Sequence, residues 1–435
     1  MAVNPLNAVN PARVTDGLAG ADALRRIAWS KQIAMESLLA DPMLNIPTLT
    51  GQIDPGATKK MIPGKIIQDV TPEGDGKYSR SVVLEYVQAL NGTGYYGSSV
   101  DSILGNEEEI RVKYFKAYSN DWATAVAGAT FGIVFREQEP SRVFSYAKPL
   151  LAQWWGEREG SFVRQALCQS ISENLTADPM PATLTSKLNA NTYVVDGAIP
   201  LLQMNGYDTY DIYEQAVIDS LEAVTPSSTI GHPVGHFTVR KLMDLADAAA
   251  ASYIKPVSVN GKEMYILYLA PQEFTNLTDP QVAGSFGLNW VAAAAVQDLN
   301  KVIPGAEFVV AESIVVCRDR RTPQAHFTAE GGDTDLSFTY VKMGRNDERT
   351  SIAAGQEVWN ANCLMGENAL VKFHSEPPHY EDQDDMYTKY NNIGFFGACG
   401  YMTPVFNNDT TVTLDQENTT QEGSIVVFTY NRLVS

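Results

Sequence analysis

The clearest hydrophobic pattern in the chain lies between residues 141 and 174, where apolar side chains recur mostly at three- and four-residue spacing. The apolar positions are Val143, Ala147, Leu150, Leu151, Trp154, Trp155, Phe162, Leu167 and Ile171, and the intervening polar positions are Glu157, Arg158, Glu159 and Arg164. The pattern predicts one amphipathic helix over 141–174, roughly 50 Å long at about 1.5 Å per residue. Pro149 predicts either a kink or the true start of this helix.

Two extended segments precede the helix. A β-rich run over 78–90 leads into a glycine-rich tip, and residues 108–118 return as a second β-rich run. Together these runs predict a long β-hairpin. A two-stranded hairpin is marginally stable alone in water, so we expect it to lie on a partner surface.

The rest of the chain mixes helices and strands without regular alternation, which is typical of the α+β class. The patterns predict helices at 208–223, 238–253 and 289–299, strands at 263–270 and 424–434, and a strand pair within 305–319. Residues 1–75 are punctuated by prolines, and we expect them to drape over other surfaces as an arm.

Length and composition limit the classes of protein to which the chain can belong. The chain has 435 residues, of which 44% are hydrophobic and 19% charged, as in a well-packed globular protein of two or three subdomains. No apolar run reaches about 18 residues, and the N-terminus has no apolar signal core, so we expect a cytoplasmic product and no membrane contact. The four scattered cysteines are expected to be buried free thiols.

The formal net charge of -19 argues against a nucleic-acid ligand, because DNA affinity comes from Lys and Arg. The N-terminal segment is mildly basic, with Arg25 and Arg26 among its cations, whereas the C-terminal part is acidic. We expect a basic arm to meet an acidic neighbour.

Gly92, Gly94 and Gly97 fit the spacing of a dinucleotide-binding turn. The long apolar-faced helix that should follow such a turn is missing from the pattern. We therefore interpret this stretch as a flexible hairpin tip, with Tyr95 and Tyr96 as contact residues for a neighbour.

Metal and catalytic signals are weak. His232 and His236 have helical spacing, but Pro233 and Gly235 between them argue against a helix. The acidic run over 381–385 lacks the glycine and terminal Glu of a helix-loop-helix calcium site. With no nucleophile motif either, we predict no catalytic residue, no metal and no cofactor.

Several blocks carry a resemblance to a known family. They are LGNEEEI at 104–110, FRE at 135–137, LLAQWWGER at 150–158, YILYLAPQEFTNLTDP at 265–280, GENALVKF at 366–373, EDQDDMYTKY at 381–390 and NIGFFGACGYMTPVF at 392–406. In this order they resemble the major capsid proteins of N4-like podoviruses, which have the Hong Kong 97 phage fold. None is a catalytic signature, so the specificity lies in their order and spacing.

The resemblance implies an α+β fold with five parts. These are an N-terminal arm (1–75), an extended loop (76–130), a peripheral domain (131–205) with a spine helix (141–174), an axial domain (206–375), and a return to the peripheral domain with a C-terminal strand (376–435). The resemblance does not reach the C-terminal strand over 424–434, so its place in the sheet stays open.

The resemblance also implies self-assembly into the pentamers and hexamers of an icosahedral shell around double-stranded DNA. The partners would be further copies of the chain, a scaffolding protein, a portal and, optionally, a decoration protein, with only non-specific contact to DNA. Assembly would take place in the host bacterial cytoplasm, and the product would reside in the virion.

Eleven residues are our candidates for contact between subunits: Arg25, Arg26, Tyr95, Tyr96, Glu107, Glu108, Glu109, Trp155, Asp382, Asp384 and Asp385. Two other interpretations stay open, namely a soluble α+β enzyme without a recognisable motif and a minor virion protein. The long helix after an extended hairpin argues against the latter, since decoration proteins are small and tail tubes are rich in β structure.

Overall fold

The computed structural model describes residues 43, 66–70, 81–87, 112–127, 140–169, 171–172, 186–226, 234–259, 262–278, 308–311, 313–330, 333–339, 357–384, 391–407, 419–421 and 423–433. Among these described residues the α-helices are α1 (Pro140–Cys168), α2 (Tyr210–Glu222), α3 (Val239–Ala251) and α4 (Pro271–Thr278). A short 3₁₀ turn spans Met204–Gly206.

The strands in the first half of the chain are β1 (Ile67–Val70), β2 (Ser81–Val87), β3 (Val112–Tyr118), β4 (Asn120–Ala127), β5 (Ile171–Ser172), β6 (Ser186–Lys187), β7 (Asn191–Val194) and β8 (Leu201–Gln203). Those in the second half are β9 (Val257–Val259), β10 (Lys262–Leu269), β11 (Phe308–Ala311), β12 (Ile314–Arg318), β13 (Gln324–Glu330), β14 (Asp333–Thr339), β15 (Glu357–Met365), β16 (Leu370–Asp384), β17 (Asn391–Met402), β18 (Phe406–Asn407), β19 (Thr419–Thr420) and β20 (Ser424–Leu433).

The largest sheet has ten strands, with the main order β11-β12-β10-β15-β20-β7-β8. Strand β20 lies in its middle, antiparallel to β15 and parallel to β7. Strands β9, β13 and β14 extend the sheet off this path. The last described strand of the chain is therefore a central one, and Ile425, Val426, Val427 and Phe428 are all fully buried.

Helices cover both faces of this sheet. Because successive side chains of a strand point to opposite faces, β20 serves two cores. Val426 and Phe428 face a core shared with α2 and the end of α1. Ile425 and Val427 face a second core shared with α3 and α4. The ten-stranded sheet is thus the middle layer of three.

A smaller sheet of four strands has the order β1-β16-β17-β4. On one face, Leu151 and Trp155 of α1 pack on Phe395. On the other face, Leu84 and Phe115 of the β2–β3 ribbon belong to a cluster with strand β16. This sheet therefore joins the long helix to the ribbon.

The long helix differs from its predicted bounds, since it begins at Pro140 and ends at Cys168 rather than covering 141–174. Pro149 lies inside the helix, so it does not mark the start. At the other end, Asn189 donates from its side chain to the Leu167 carbonyl and from its backbone to the Cys168 carbonyl. These bonds satisfy carbonyls that the next helical turn would have used.

Most other sequence-based elements are confirmed. Helices α2 and α3, strands β10 and β20, the β2–β3 hairpin and the β11–β12 pair all lie at their predicted positions. The segment after β10 forms helix α4, which the sequence patterns did not predict. The helix predicted over 289–299 lies outside the described residues.

Part of the predicted arm packs on the chain itself. Met43, Ile66 and Ile67 are buried in the core that lies under α2. Strand β1 pairs in parallel with β16, from Ile67 opposite Leu370 to Val70 opposite Phe373. At these positions the surface on which the segment lies is its own subunit.

Candidate assembly surfaces

Helix α1 is fixed to the larger sheet by a buried ion pair. Arg164, only 3% exposed, donates from Nε to Asp319 Oδ2 at 2.8 Å and from Nη2 to Asp319 Oδ1 at 2.6 Å. A third donor of the same guanidinium reaches the Gly160 carbonyl at 2.9 Å. This bidentate geometry fixes both the position and the orientation of the Arg164 side chain, because the planar guanidinium and the carboxylate pair in one plane.

A second buried charge fixes the same helix to the smaller sheet. Glu159, 4% exposed, accepts from Lys372 Nζ of β16 at 2.5 Å and from the Tyr401 hydroxyl of β17 at 2.5 Å. Register places Lys372 directly opposite Tyr401. The carboxylate therefore bridges two adjacent strands from above.

The electrostatics of this cluster favour the ionised carboxylate. Burial alone raises the pKa of Glu159, but the charges of Lys372 and His374 and the hydrogen bonds from Lys372 and Tyr401 outweigh it, so the pKa is lowered. Burial and the charge of Glu159 raise the pKa of Tyr401 well above its usual value. Tyr401 thus remains a neutral donor to an anionic acceptor.

The sequence pattern treated Glu159 and Arg164 as intervening polar positions of the helix, but both side chains are buried with charged partners. The burial of Glu159 could have been predicted from its spacing to apolar residues of the helix. Glu159 lies four residues from both Trp155 and Val163, which are core positions, so it shares their stripe of the helix. A polar residue at a core position points to a buried partner.

The outer surface of α1 carries an aromatic groove. Leu150 is 59% exposed, and Trp154 and Arg158 follow it at four-residue spacing. The Arg158 guanidinium lies 5.4 Å from the centre of the Phe162 ring, which lies 4.1 Å from the ring of Trp122. The groove is lined by Trp122, Trp154, Trp155, Arg158, Glu159, Phe162 and Cys399.

The two tryptophans of α1 divide between core and surface. Trp155 is 4% exposed and meets the Phe395 ring edge-on at 5.0 Å. Trp155, our candidate for contact with a neighbour, is thus buried within its own chain, and its contact between copies stays a prediction. Trp154 is half-buried and contributes to the groove.

The β2–β3 ribbon is anchored at its base. Its seven residue pairs run from Ser81 opposite Tyr118 to Val87 opposite Val112. Leu84 is buried against the smaller sheet, whereas Val83 is 44% exposed. The ribbon thus has one attached face, and on the other face Val83 is exposed among the residues that the structure describes.

Two of the remaining contact candidates lie on described backbone. Asp382 and Asp384 are on β16, opposite Ile393 and Asn391 of β17. The others lie outside the described residues: Arg25, Arg26, Tyr95, Tyr96, Glu107, Glu108, Glu109 and Asp385.

Groups with catalytic potential have structural partners here. His236 Nδ1 lies 2.6 Å from Glu273 Oε1, and the other oxygen of Glu273 accepts from the Phe237 backbone at 3.2 Å. His232 lies outside the described residues. Within the described ranges, no three His, Cys, Asp or Glu residues are close enough to hold a metal ion. All four cysteines are buried free thiols, which confirms the prediction.

None of the described helices combines the length and apolar character that crossing a membrane requires. No protein-family model matches the chain, and no curated protein matches it by sequence.

Solved structures do match. The chain is similar to the capsid of Ralstonia phage GP4, with 13% identity and a TM-score of 0.56, over 86% of this chain and 90% of that one. It is also similar to the acidic stable capsid structure of Helicobacter pylori bacteriophage KHP30, with 12% identity and a TM-score of 0.50, over 90% and 91% of the two chains. At such identities the likeness shows the fold. The chain therefore has the α+β fold of tailed-phage capsid proteins, the Hong Kong 97 type, as the sequence predicted.

Proposed function

We propose that this protein is a major capsid protein, whose copies assemble into the icosahedral shell that encloses a phage's double-stranded DNA. The observation that carries this proposal is the match to the GP4 phage capsid over 86% of this chain and 90% of that one. Because most of each chain is covered, the likeness extends over nearly the whole subunit and is not limited to one shared motif. The proposed role is structural.

Two surfaces of the subunit support a role in assembly. The β2–β3 ribbon has one face attached to its own chain, and a two-stranded ribbon needs a partner for stability. The aromatic groove of α1 places Trp154 and Arg158 at the surface, and these residue types are enriched at protein interfaces. We infer that both surfaces are covered by neighbouring copies.

Assembly through such surfaces would be distributed and cooperative. Each copy contacts several others, so modest individual contacts are multiplied by valency. Closure of a symmetric shell then satisfies every contact at once. The net charge of -19 suits a wall that leaves packaged DNA free to move.

We also propose a division of the chain by sheet. The four-stranded sheet with α1 would be the peripheral domain, the ten-stranded sheet with α2, α3 and α4 the axial domain, and the β2–β3 ribbon the extended loop. This division assigns β7, β8 and β20 to the axial domain. The resemblance had assigned segments 131–205 and 376–435, which contain these strands, to the peripheral domain. Strand β16 goes whole with the peripheral domain, so we place that boundary near residue 369.

Finer assignments follow from the motif blocks and remain proposals. We propose membership of the N4-like podovirus capsid family, on the order of the seven blocks in the sequence. We further propose pentamers and hexamers as the capsomers, and a scaffolding protein, a portal and optionally a decoration protein as partners. Assembly is proposed to occur in the host bacterial cytoplasm, before the protein becomes part of the virion.

Size-exclusion chromatography with light scattering, over a series of protein concentrations, tests the proposal. Shell formation predicts a threshold concentration above which very large particles coexist with subunits or capsomers, because closure is cooperative. A matched variant, Trp154→Ala, should raise this threshold while leaving the subunit folded. A compact oligomer of fixed size at every concentration would contradict the proposal and favour a soluble protein of another class.

A further inference from the structure

Two buried thiols lie in contact where α1 meets the larger sheet. Cys168 is the last residue of α1, and Cys363 lies on the central strand β15. Their Sγ atoms are 3.7 Å apart, and their side chains are 0% and 3% exposed. The two residues are 195 positions apart in the chain. This contact has no role in the proposed assembly surfaces.

The geometry selects this pair over the other thiols. Cys317 pairs with Tyr268, which in turn pairs with Cys363, so two strand spacings of about 4.8 Å each separate the two cysteines. That separation of roughly 10 Å exceeds the Cα distance of about 7 Å that a disulfide can span. Cys399 lies in a different core, beneath Trp155. The 3.7 Å contact between the Sγ atoms of Cys168 and Cys363 therefore favours this pair for oxidation.

We propose that Cys168 and Cys363 form an intramolecular disulfide when the protein enters an oxidising medium. An Sγ–Sγ bond forms and the two S–H bonds break. Both protons and two electrons pass to a small two-electron acceptor, such as an azo compound whose N=N bond is reduced to a hydrazine. The sulfurs must approach by about 1.7 Å to reach the bond length of about 2.05 Å.

The surroundings make the reaction slow and its product durable. The hydrogen bond with Cys363 and burial raise the pKa of the Cys168 thiol well above its usual value, so little thiolate is present. Oxidation therefore waits for local opening of the site. Once formed, the bond is shielded from reducing agents by the same burial, and it ties the end of α1 to the centre of the ten-stranded sheet.

The two redox states correspond to two environments. Thiols stay reduced in a bacterial cytoplasm, and disulfides persist outside it. On the proposed function, a shell protein made in the cytoplasm and then released would pass from the reducing environment to the oxidising one. The thiol chemistry itself belongs to the single subunit and does not depend on assembly.

The test uses the full-length protein and diamide as the oxidant. Protein is incubated with diamide near the onset of thermal unfolding, remaining thiols are alkylated under denaturing conditions, and unreduced peptides are mapped by mass spectrometry. We expect a linked peptide pair containing Cys168 and Cys363, with Cys317 and Cys399 alkylated. The mass of the intact chain should fall by two hydrogen atoms, and the melting midpoint should rise.

Matched variants separate this bond from other oxidation. Cys317→Ala should keep both the linked peptide and the rise in melting midpoint, whereas Cys168→Ala should lose both. If Cys168→Ala does not fold, Cys363→Ala serves the same purpose, and the peptide map of the unaltered chain decides in either case. Alkylation of all four cysteines after prolonged oxidation, or a link through Cys317, would overturn the proposal.

Discussion

Single residues explain how one helix holds two sheets. Burying a charge is costly unless it is paired and hydrogen-bonded, and each buried charge on α1 meets this condition. Arg164 binds Asp319 beside the larger sheet, and Glu159 binds Lys372 on the smaller one. The two pairs lie on the same helix, so together with the shared core they help to fix the position of one sheet relative to the other.

The first prediction concerns the Glu159 carboxylate. Glu159→Gln keeps the size of the side chain but leaves Lys372 without its counter-charge, and removing one partner of a buried pair costs about 3 kcal/mol. Urea unfolding of the subunit at neutral pH should show this loss. The matched control is Glu157→Gln, because Glu157 lies 4.0 Å from Arg321, against 2.5 Å between Glu159 and Lys372, so its loss should be clearly smaller. Equal losses in both variants would refute the role given to Glu159.

The same pair predicts a pH dependence. Because the folded pKa of Glu159 is lowered, its stabilising contribution is present above the ordinary carboxyl pKa of about 4.3. This contribution is lost as the pH falls through the folded value. The stability difference between the parent protein and Glu159→Gln should therefore shrink below about pH 4. A constant difference between neutral and strongly acidic pH would count against an ionised Glu159.

A glycine on β17 supplies the second prediction. A Cβ on Gly400 would overlap the carbonyl oxygen of Tyr118, where the β3–β4 connection crosses the strand. Gly400→Ala should therefore lower the melting midpoint sharply, at a cost of about 3 kcal/mol or more. Gly206→Ala is the control, because a Cβ there meets nothing within 4 Å. Equal melting midpoints of the two variants would show that the backbone does not approach Gly400 this closely.

At the scale of elements, α1 divides its two tryptophans between core and surface. Trp155→Ala should destabilise the subunit by roughly 3 to 5 kcal/mol, because it empties a buried site against Phe395. Trp154→Ala should cost less in stability and weaken assembly instead. Thermal melting of subunits, followed by light scattering at assembling concentrations, separates the two effects. The reverse order of the two melting temperatures would contradict the packing of α1.

Elements with strong local patterns could be predicted from sequence, and their ends and partners could not. The spacing of apolar residues gave α1, α2 and α3 because helical periodicity is a local property. The end of α1 at Cys168 depends on Asn189, which is distant in sequence. The central position of β20 depends on pairing with β15 and β7, and a run of apolar residues does not reveal its partners.

The ribbon gives the fourth prediction. Its base is attached through Leu84 and Phe115, whereas the predicted tip over 91–106 lies beyond the paired residues. Deleting residues 91–106 should leave a folded subunit with unchanged helical circular dichroism, because the anchored base remains. Particle formation should fail. Loss of the soluble folded subunit would show that the tip is needed for its own subunit to fold.

The site was less predictable than the fold. The sequence favoured the surface of α1 and the hairpin as assembly elements, but it chose Trp155 where the structure exposes Trp154 more. Adjacent residues on a helix differ by about 100° in direction, so the pattern alone could not decide which one faces outward. The buried partners Lys372 and Tyr401 could not be predicted from the sequence, because only the tertiary fold brings them to Glu159.

On the proposed function, the whole molecule would use different surfaces for stability and for assembly. Among the described residues, the two sheets pack their cores within one chain, whereas Val83 of the ribbon and Leu150 of α1 are exposed. This separation would let a subunit fold first and assemble afterwards. Many weak contacts would then act together as a shell closes.

Cryo-electron microscopy of the purified protein at assembling concentrations tests the central claim most directly. The account predicts closed particles whose wall consists of this chain in rings of five and six copies, with the β2–β3 ribbon and the α1 groove at contacts between copies. A monomer or small closed oligomer that forms no shell at any concentration, with both surfaces open to solvent, would contradict it.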